Sequence, residues 1–206
     1  MGYTTYFEGG FSFNKKISNR LKDYINGFAN TRHMLYNTEK IKKDYEFYRI
    51  FTYDGNLGEN GCLINDTKRL LDGFKSEYVL DYNNNGVCPS LWAQWIVSDD
   101  GTELVWDGGE KFYEYDKWLV FYINNFFKKE DIILNGVSYY FGEDSQDAGF
   151  LIVDNNKVYM YNYLDTLFEE VIAKHNKNEE IASILKSDDM TAEKFRKRYN
   201  FGYDEE

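Results

Sequence analysis

Three charged side chains lie beside a Gly-Gly pair in the segment Trp106 to Phe112, WDGGEKF. Asp107, Glu110 and Lys111 suit a polar binding site, because glycines let a ligand approach the backbone closely and a following helix N-terminus attracts anions. The same residues also suit a plain strand–turn–helix junction, where acidic residues stabilise the start of the helix. The segment lacks the GxGxxG and GK[ST] patterns of nucleotide-binding loops. Both interpretations stay open, and the junction is the simpler one.

Two other places carry residues of types suited to ligand binding. Arg32 and His33 lie at the end of the first predicted helix, where a cation either interacts with the helix dipole or binds an anionic group. Trp92 and Gln94 are two residues apart in a predicted strand and therefore share a face. The candidate ligand-binding residues are Arg32, Trp92, Gln94, Asp107, Glu110 and Lys111.

Patterns for catalysis and metal binding are weak. The two histidines, His33 and His175, each follow or end a predicted helix, and no nucleophile signature accompanies them. Two Asp/Asn-rich segments, 54–60 and 154–156, do not match the calcium-loop pattern and are typical of turns. We therefore predict no catalytic residue, no metal and no cofactor.

The elements that position these residues follow from periodicity. Tyr3 to Phe13 alternates in the manner of a strand with one buried face. Ser18 is a suitable N-cap for a helix that we expect to extend to about Met34. Residues 36–90 show little regular patterning, so we predict an irregular insertion there.

Regular patterns return after residue 90. Strands are predicted at Leu91 to Val97 and Thr102 to Trp106, with a Ser-Asp-Asp-Gly turn between them. A helix is predicted from Tyr115 to Lys129. Asn135-Gly136 between apolar runs predicts a hairpin turn, and a second hairpin is predicted around 154–157. Further helices are predicted at 164–174, 179–185 and 191–199.

The order of these elements predicts an α+β fold. Residues 1–162 follow the order β-α-β-β-α-β of the split βαβ (ferredoxin-like) arrangement, an antiparallel sheet with two helices on one face. The predicted domain spans 1–162 with the insertion 36–90, and 163–206 form a C-terminal helical extension. That extension either caps the second sheet face or mediates homo-oligomerisation.

Composition limits the classes of partner. The net charge of −11 argues against binding to nucleic acid or anionic membrane, and it favours a protein partner with a basic surface. Cys62 and Cys88 are too few for a disulfide scaffold. The chain shows neither a signal-peptide pattern nor an apolar run of ~18 residues. We therefore expect a cytoplasmic protein.

Six distinctive blocks occur along the chain: Met1–Phe13, Asn30–Met34, Leu80–Asn83, Ser90–Trp95, Trp106–Phe112 and Leu134–Gly136. In this order they resemble a family of small, uncharacterised bacterial and phage proteins, which read roughly GYTTxFxGxFxF, ETRRM, SLWCQW, LEWDGGEKFYxYVEWL and VLNGEV. The resemblance covers about residues 1 to 160 and implies no known activity. This chain has Arg32-His33 where the family has two arginines, and Ala93 where it has cysteine. A catalytic cysteine at that position is therefore excluded here.

Two main hypotheses of function follow. The first is a non-catalytic interaction protein of phage or mobile-element type, an acidic inhibitor of a nucleic-acid-handling or defence protein. The alternative is a binder of a small anionic molecule, or an enzyme, that uses a pocket around the candidate residues. The alternative requires Arg32 and Glu110 to reach one cleft. A structural module that forms homo-oligomers through 163–206 is a third hypothesis.

Overall fold

A computed structural model describes residues 2–44, 76–144, 146–163 and 168–187. Its elements combine helices and strands along the whole described chain. The strands are β1 (Thr5–Phe13), β2 (Leu35–Tyr36), β3 (Val79–Asp81), β4 (Trp95–Val97), β5 (Glu103–Trp106), β6 (Leu134–Gly142), β7 (Ala148–Asp154) and β8 (Lys157–Asn162). The α-helices are α1 (Asn19–Ala29), α2 (Thr38–Asp44), α3 (Tyr115–Tyr122), α4 (Phe168–His175) and α5 (Glu179–Ser187).

One six-stranded sheet forms the centre of the fold, in the order β4-β5-β1-β6-β7-β8, and all its neighbouring strands are antiparallel. β2 and β3 pair separately as a small two-stranded sheet. The predicted α+β class with an antiparallel sheet is confirmed. β7 and β8 extend the sheet beyond the four strands of the predicted arrangement.

The N-terminal strand and helix form as their patterns predict. Phe7, Phe11 and Phe13 point into the core from one face of β1. Ser18 caps α1, because its hydroxyl oxygen accepts a hydrogen bond from Leu21 N at 3.2 Å. The prediction that this helix reaches Met34 is wrong: α1 ends at Ala29.

Helices cover both faces of the sheet. α1 and α3 pack on one face through an aromatic core that includes Phe28, Trp118 and Tyr122. α4 and α5 pack on the other face, where Val171, Ile181 and Leu185 meet side chains of β6 and β7. The described part of the C-terminal extension therefore caps the second sheet face, which is one of the two roles expected for it.

Two further predicted elements differ from the structure. The strand predicted from Leu91 forms only over β4, because Gln94 has a left-handed backbone with φ of 26°. The helix predicted over 115–129 is α-helical in α3, then a π-helix at Ile123–Phe127 and a 3-10 turn at Lys128–Glu130.

The hairpin turn predicted at Asn135-Gly136 is wrong, since both residues lie inside β6. Glycine is required at 136 for a different reason: a Cβ there would lie 2.5 Å from Gly10 O in β1. The second hairpin is confirmed, with Asn155 and Asn156 in left-handed conformations between β7 and β8.

The insertion 36–90 carries more regular structure than predicted, because α2, β3 and the second residue of β2 fall within it. The calcium-like segment 54–60, Cys62 and the helix predicted at 191–199 lie outside the described residues. Cys88 is buried in the core. Among the described helices, none has the length and apolar character needed to cross a membrane.

Candidate functional site

A cleft of about 520 Å³ opens beside the junction between β5 and α3. Four chain segments form its walls: the end of the α1 region, the loop after β3, the segment before β4 and the turn before α3. The lining residues are Arg32, Asn83, Asn85, Pro89, Ser90, Leu91, Trp92, Gln94, Glu110, Lys111, Tyr113 and Glu114.

Five of the six residues selected from the sequence line this cleft, and Asp107 does not. The Asp107 carboxylate accepts a hydrogen bond from Gly109 N at 2.7 Å and so closes its own turn. Partial burial raises the pKa of the Asp107 carboxyl group, and this hydrogen bond offsets part of the rise. Asp107 therefore shapes the turn that presents its neighbours to the cleft. The five residues on the cleft are Arg32, Trp92, Gln94, Glu110 and Lys111.

Gln94 connects the cleft wall to the turn. Its Nε2 donates to Glu110 O at 2.7 Å, and its Oε1 accepts from Trp106 Nε1 at 3.2 Å. Its backbone oxygen accepts from Asp107 N at 3.0 Å. Gly109 is needed beside it, because a Cβ there would lie 3.0 Å from Gln94 Cδ. The sequence prediction that Gln94 shares a strand face with Trp92 is wrong, since Gln94 is buried and precedes β4.

Arg32 is held at the cleft by the loop after β3. Its Nη2 donates to Tyr82 O at 3.2 Å and lies 3.5 Å from Asn83 Oδ1. Because α1 ends at Ala29, Arg32 lies beyond the end of that helix and does not cap it. Within the described chain, neither Arg32 nor Lys111 forms an ion pair with a carboxylate.

Two aromatic side chains line the cleft with partly exposed rings. Trp92 is 36% exposed and Tyr113 is 47% exposed. Ser90 Oγ lies 3.0 Å from the carbonyl oxygens of both residues, and it accepts a hydrogen bond from Trp118 Nε1 at 2.8 Å. Because Trp118 is fully buried, Ser90 ties this aromatic pair to the core.

The two cleft carboxylates have different surroundings. Glu114 forms an ion pair with Lys117, which raises the pKa of the lysine. Glu110 is exposed, and its backbone oxygen is the acceptor for Gln94. The cleft therefore offers both cationic and anionic groups to a ligand.

The backbone of the cleft is unusually strained. Gln94, Lys111 and Glu114 have φ values of 26°, 61° and 56°, in the region that favours glycine. Residues held in such conformations are concentrated at binding and catalytic sites, where the surrounding structure enforces them. The strain supports a cleft that is formed before any ligand arrives.

The two histidines lie elsewhere. His33 is buried in the core against Phe28, with ring centroids 4.2 Å apart. His175 is also buried: its Nδ1 lies 2.9 Å from Asp154 Oδ2 and its Nε2 lies 3.1 Å from Tyr161 OH. From the sequence, His175 was predicted only to lie at the end of a helix, and this network, which joins α4 to the β7–β8 hairpin, was not predicted.

Several lining residues were not predicted from the sequence, among them Asn83, Ser90, Tyr113 and Glu114. Asn83 and Ser90 lie in the family-like blocks, which is the one sequence signal that marks them. Across the described residues, no group of three or more His, Cys, Asp or Glu side chains is arranged to hold a metal ion. Comparison with known proteins finds no matching family model, curated protein or solved structure.

Proposed function

We propose that the protein is a non-catalytic binding protein that holds a small anionic ligand in the cleft beside Arg32 and Lys111. One observation carries the proposal. In a chain of net charge −11, two cations line a cleft without a carboxylate partner among the described residues. The volume of about 520 Å³ lies within the roughly 300–1,000 Å³ usual for small-molecule pockets.

Arg32 has the geometry for anion recognition. A guanidinium group carries five N–H donors that can bind phosphate or carboxylate. Arg32 uses Nη2 for both of its contacts with the loop after β3. As far as the described residues show, Nε and Nη1 lie on different edges of the guanidinium plane and can each donate a single hydrogen bond to an anion. The loop holds the side chain in place, which lowers the entropy lost when a ligand binds.

The polar groups of the cleft favour binding over catalysis. The Ser90 hydroxyl is engaged with Trp118 and with backbone carbonyls, so it serves to position the aromatic pair. Gln94 is engaged with Trp106 and Glu110. These contacts support a rigid, preformed pocket wall.

Isothermal titration of the full-length protein with pyrophosphate at low ionic strength tests this proposal. We expect Arg32→Ala and Lys111→Gln each to weaken binding by about 10- to 150-fold, since a hydrogen bond to a charged group contributes roughly 1.5–3 kcal/mol. Lys177→Ala is the matched control, because it removes one exposed positive charge outside the cleft. Equal affinity in all four proteins, or no binding at millimolar pyrophosphate, contradicts the proposal.

The acidic-inhibitor hypothesis is a separate proposal, and the net charge of −11 supports it. Affinity capture from a host lysate at low and high salt, followed by mass spectrometry, tests it. A basic nucleic-acid-handling protein that is released by salt is the expected result. Capture that is unaffected by salt, or no capture, contradicts it.

A further inference from the structure

We propose that the anionic ligand carries a planar aromatic ring that stacks on Trp92, so that its chemical class is that of a nucleotide. This inference rests on the proposed function and adds the part of the ligand that Arg32 does not recognise. It follows from the aromatic residues, the second charge and the volume of the cleft.

The aromatic residues supply a stacking surface. Trp92 lines the cleft with 36% of its surface exposed, and Tyr113 does so with 47% exposed. Exposed rings in a pocket are a common surface for bases, since every base has a π-face. Ser90 holds the backbone of both residues against the buried Trp118, so the backbone that carries the two rings is anchored to the core.

The charged and polar groups of the cleft match the other parts of a nucleotide. Arg32 suits a phosphate group. The exposed Glu110 carboxylate is an acceptor that suits sugar hydroxyls or an exocyclic amino group. Asn83 and Asn85 lie on the wall formed by the loop after β3, where Asn83 Oδ1 lies 3.5 Å from Arg32 Nη2 and the Asn85 amide donates to Cys88 O. A plain inorganic anion would leave the Glu110 carboxylate and the two rings without a role.

Size and charge favour a single nucleotide over a nucleic-acid chain. The cleft of about 520 Å³ has the volume of a small-molecule pocket. Binding to a polymer draws its affinity from many phosphate contacts with lysine and arginine. With a net charge of −11, the chain repels such a polymer outside the cleft.

Titration of the full-length protein with four probes separates the parts of the ligand. The probes are inorganic phosphate, ribose 5-phosphate, adenosine 5′-monophosphate and a short single-stranded oligoadenylate. We expect the mononucleotide to bind roughly 5- to 150-fold more tightly than ribose 5-phosphate, which is the usual contribution of one base stacked on an aromatic side chain.

Two variants assign the contributions to residues. Trp92→Ala should remove the difference between the mononucleotide and ribose 5-phosphate, while Trp92→Phe should keep part of it. Arg32→Ala should weaken both phosphorylated probes together. Circular dichroism and a thermal melt confirm that each variant is folded, which is expected because the Trp92 ring is partly exposed.

Each remaining outcome contradicts one of the two proposals in a recognisable way. Equal affinity for the mononucleotide and ribose 5-phosphate overturns the inference and leaves anion binding intact. An unchanged difference in Trp92→Ala also overturns it. Tighter binding of the oligoadenylate shows that the occupant is a nucleic acid. If no phosphorylated probe binds at millimolar concentration, the proposed function itself fails.

Discussion

Gln94 offers the sharpest test of how the cleft is built. Its amide bridges two parts of the structure, donating to Glu110 O at 2.7 Å and accepting from Trp106 Nε1 at 3.2 Å. We expect Gln94→Ala to destabilise the fold and to loosen the turn that carries Lys111.

The magnitude follows from what the substitution removes. Two neutral hydrogen bonds contribute about 0.5–1.5 kcal/mol each, and one buried methylene group contributes about 0.8 kcal/mol. The free energy of unfolding should therefore fall by roughly 2–4 kcal/mol. Because the Glu110 carbonyl lies in an exposed turn where water can replace the amide, we expect the lower half of this range.

Urea denaturation monitored by tryptophan fluorescence measures the loss in stability. Two-dimensional ¹H–¹⁵N spectra add a local signal, because the Trp106 indole N–H loses its acceptor while the Trp95 indole N–H keeps Tyr115 O at 2.9 Å. Gln146→Ala is the matched control, since it alters the other glutamine of the chain at an exposed position.

Two results refute the reasoning about Gln94. The first is a loss of stability no larger than that of Gln146→Ala. The second is an unchanged Trp106 indole signal in Gln94→Ala. A third measurement links structure to binding: Gln94→Ala should weaken pyrophosphate binding, because Lys111 then lies on a less ordered turn.

Three further predictions concern stability. Partial burial raises the pKa of Asp154, but hydrogen bonds from Asn178, His175 and Asn155 outweigh it and hold the pKa below its usual value. The stability that this carboxylate contributes is therefore lost as the pH falls below about 4. Asn178→Ala should weaken this dependence on acid pH and lower the free energy of unfolding in urea by about 1–2 kcal/mol. Burial, with the hydrogen bond to Asp147, raises the pKa of Tyr3 from 10.0 to about 12. The stability that Tyr3 contributes is therefore complete below pH 10 and is lost as the pH rises to 12. A ¹³C-tyrosine NMR titration measures the pKa, with Tyr3→Phe to identify the Tyr3 resonance, and a normal pKa would contradict the contact with Asp147. Gly136→Ala should lower the stability of the fold by about 2–5 kcal/mol or prevent folding, because the new Cβ would contact the backbone of β1 and residue 136 has a positive φ of 143°. Gly108→Ala, with open space around residue 108, should cost less stability, and thermal melts of the two variants compare them.

Local patterns were sufficient where one chain segment decides the outcome. Alternation along Tyr3 to Phe13 predicted β1, because a strand exposes alternate residues to opposite sides whatever it pairs with. Ser18 predicted the start of α1, because the cap bonds to a backbone group only three residues away. Asn155 and Asn156 predicted the β7–β8 turn, since both tolerate the left-handed conformation.

Local patterns failed where a distant segment supplies the cause. Asn135-Gly136 has the composition of a hairpin turn, yet it continues β6 because the Gly10 backbone of β1 packs against residue 136. The strand expected from Leu91 is shortened because Gln94 turns towards the Asp107 to Glu110 segment. In both cases the segment that causes the difference lies outside the short stretch of sequence on which the prediction was based.

The candidate site also depends partly on local residue types and partly on long-range packing. Residue types alone pointed to six residues, because side chains with charge, rings or amides are the ones that can recognise a polar ligand: Arg32, Trp92, Gln94, Asp107, Glu110 and Lys111.

Only the tertiary structure decided that five of these share a cleft and that Asp107 closes the turn instead. Arg32 and Lys111 are far apart in the chain, and it is the packing of α1, the loop after β3 and the turn before α3 on one sheet that brings them to one cavity. The sequence by itself determined which chemical groups are available and which local elements form. Their convergence depends on long-range packing, which no single segment encodes.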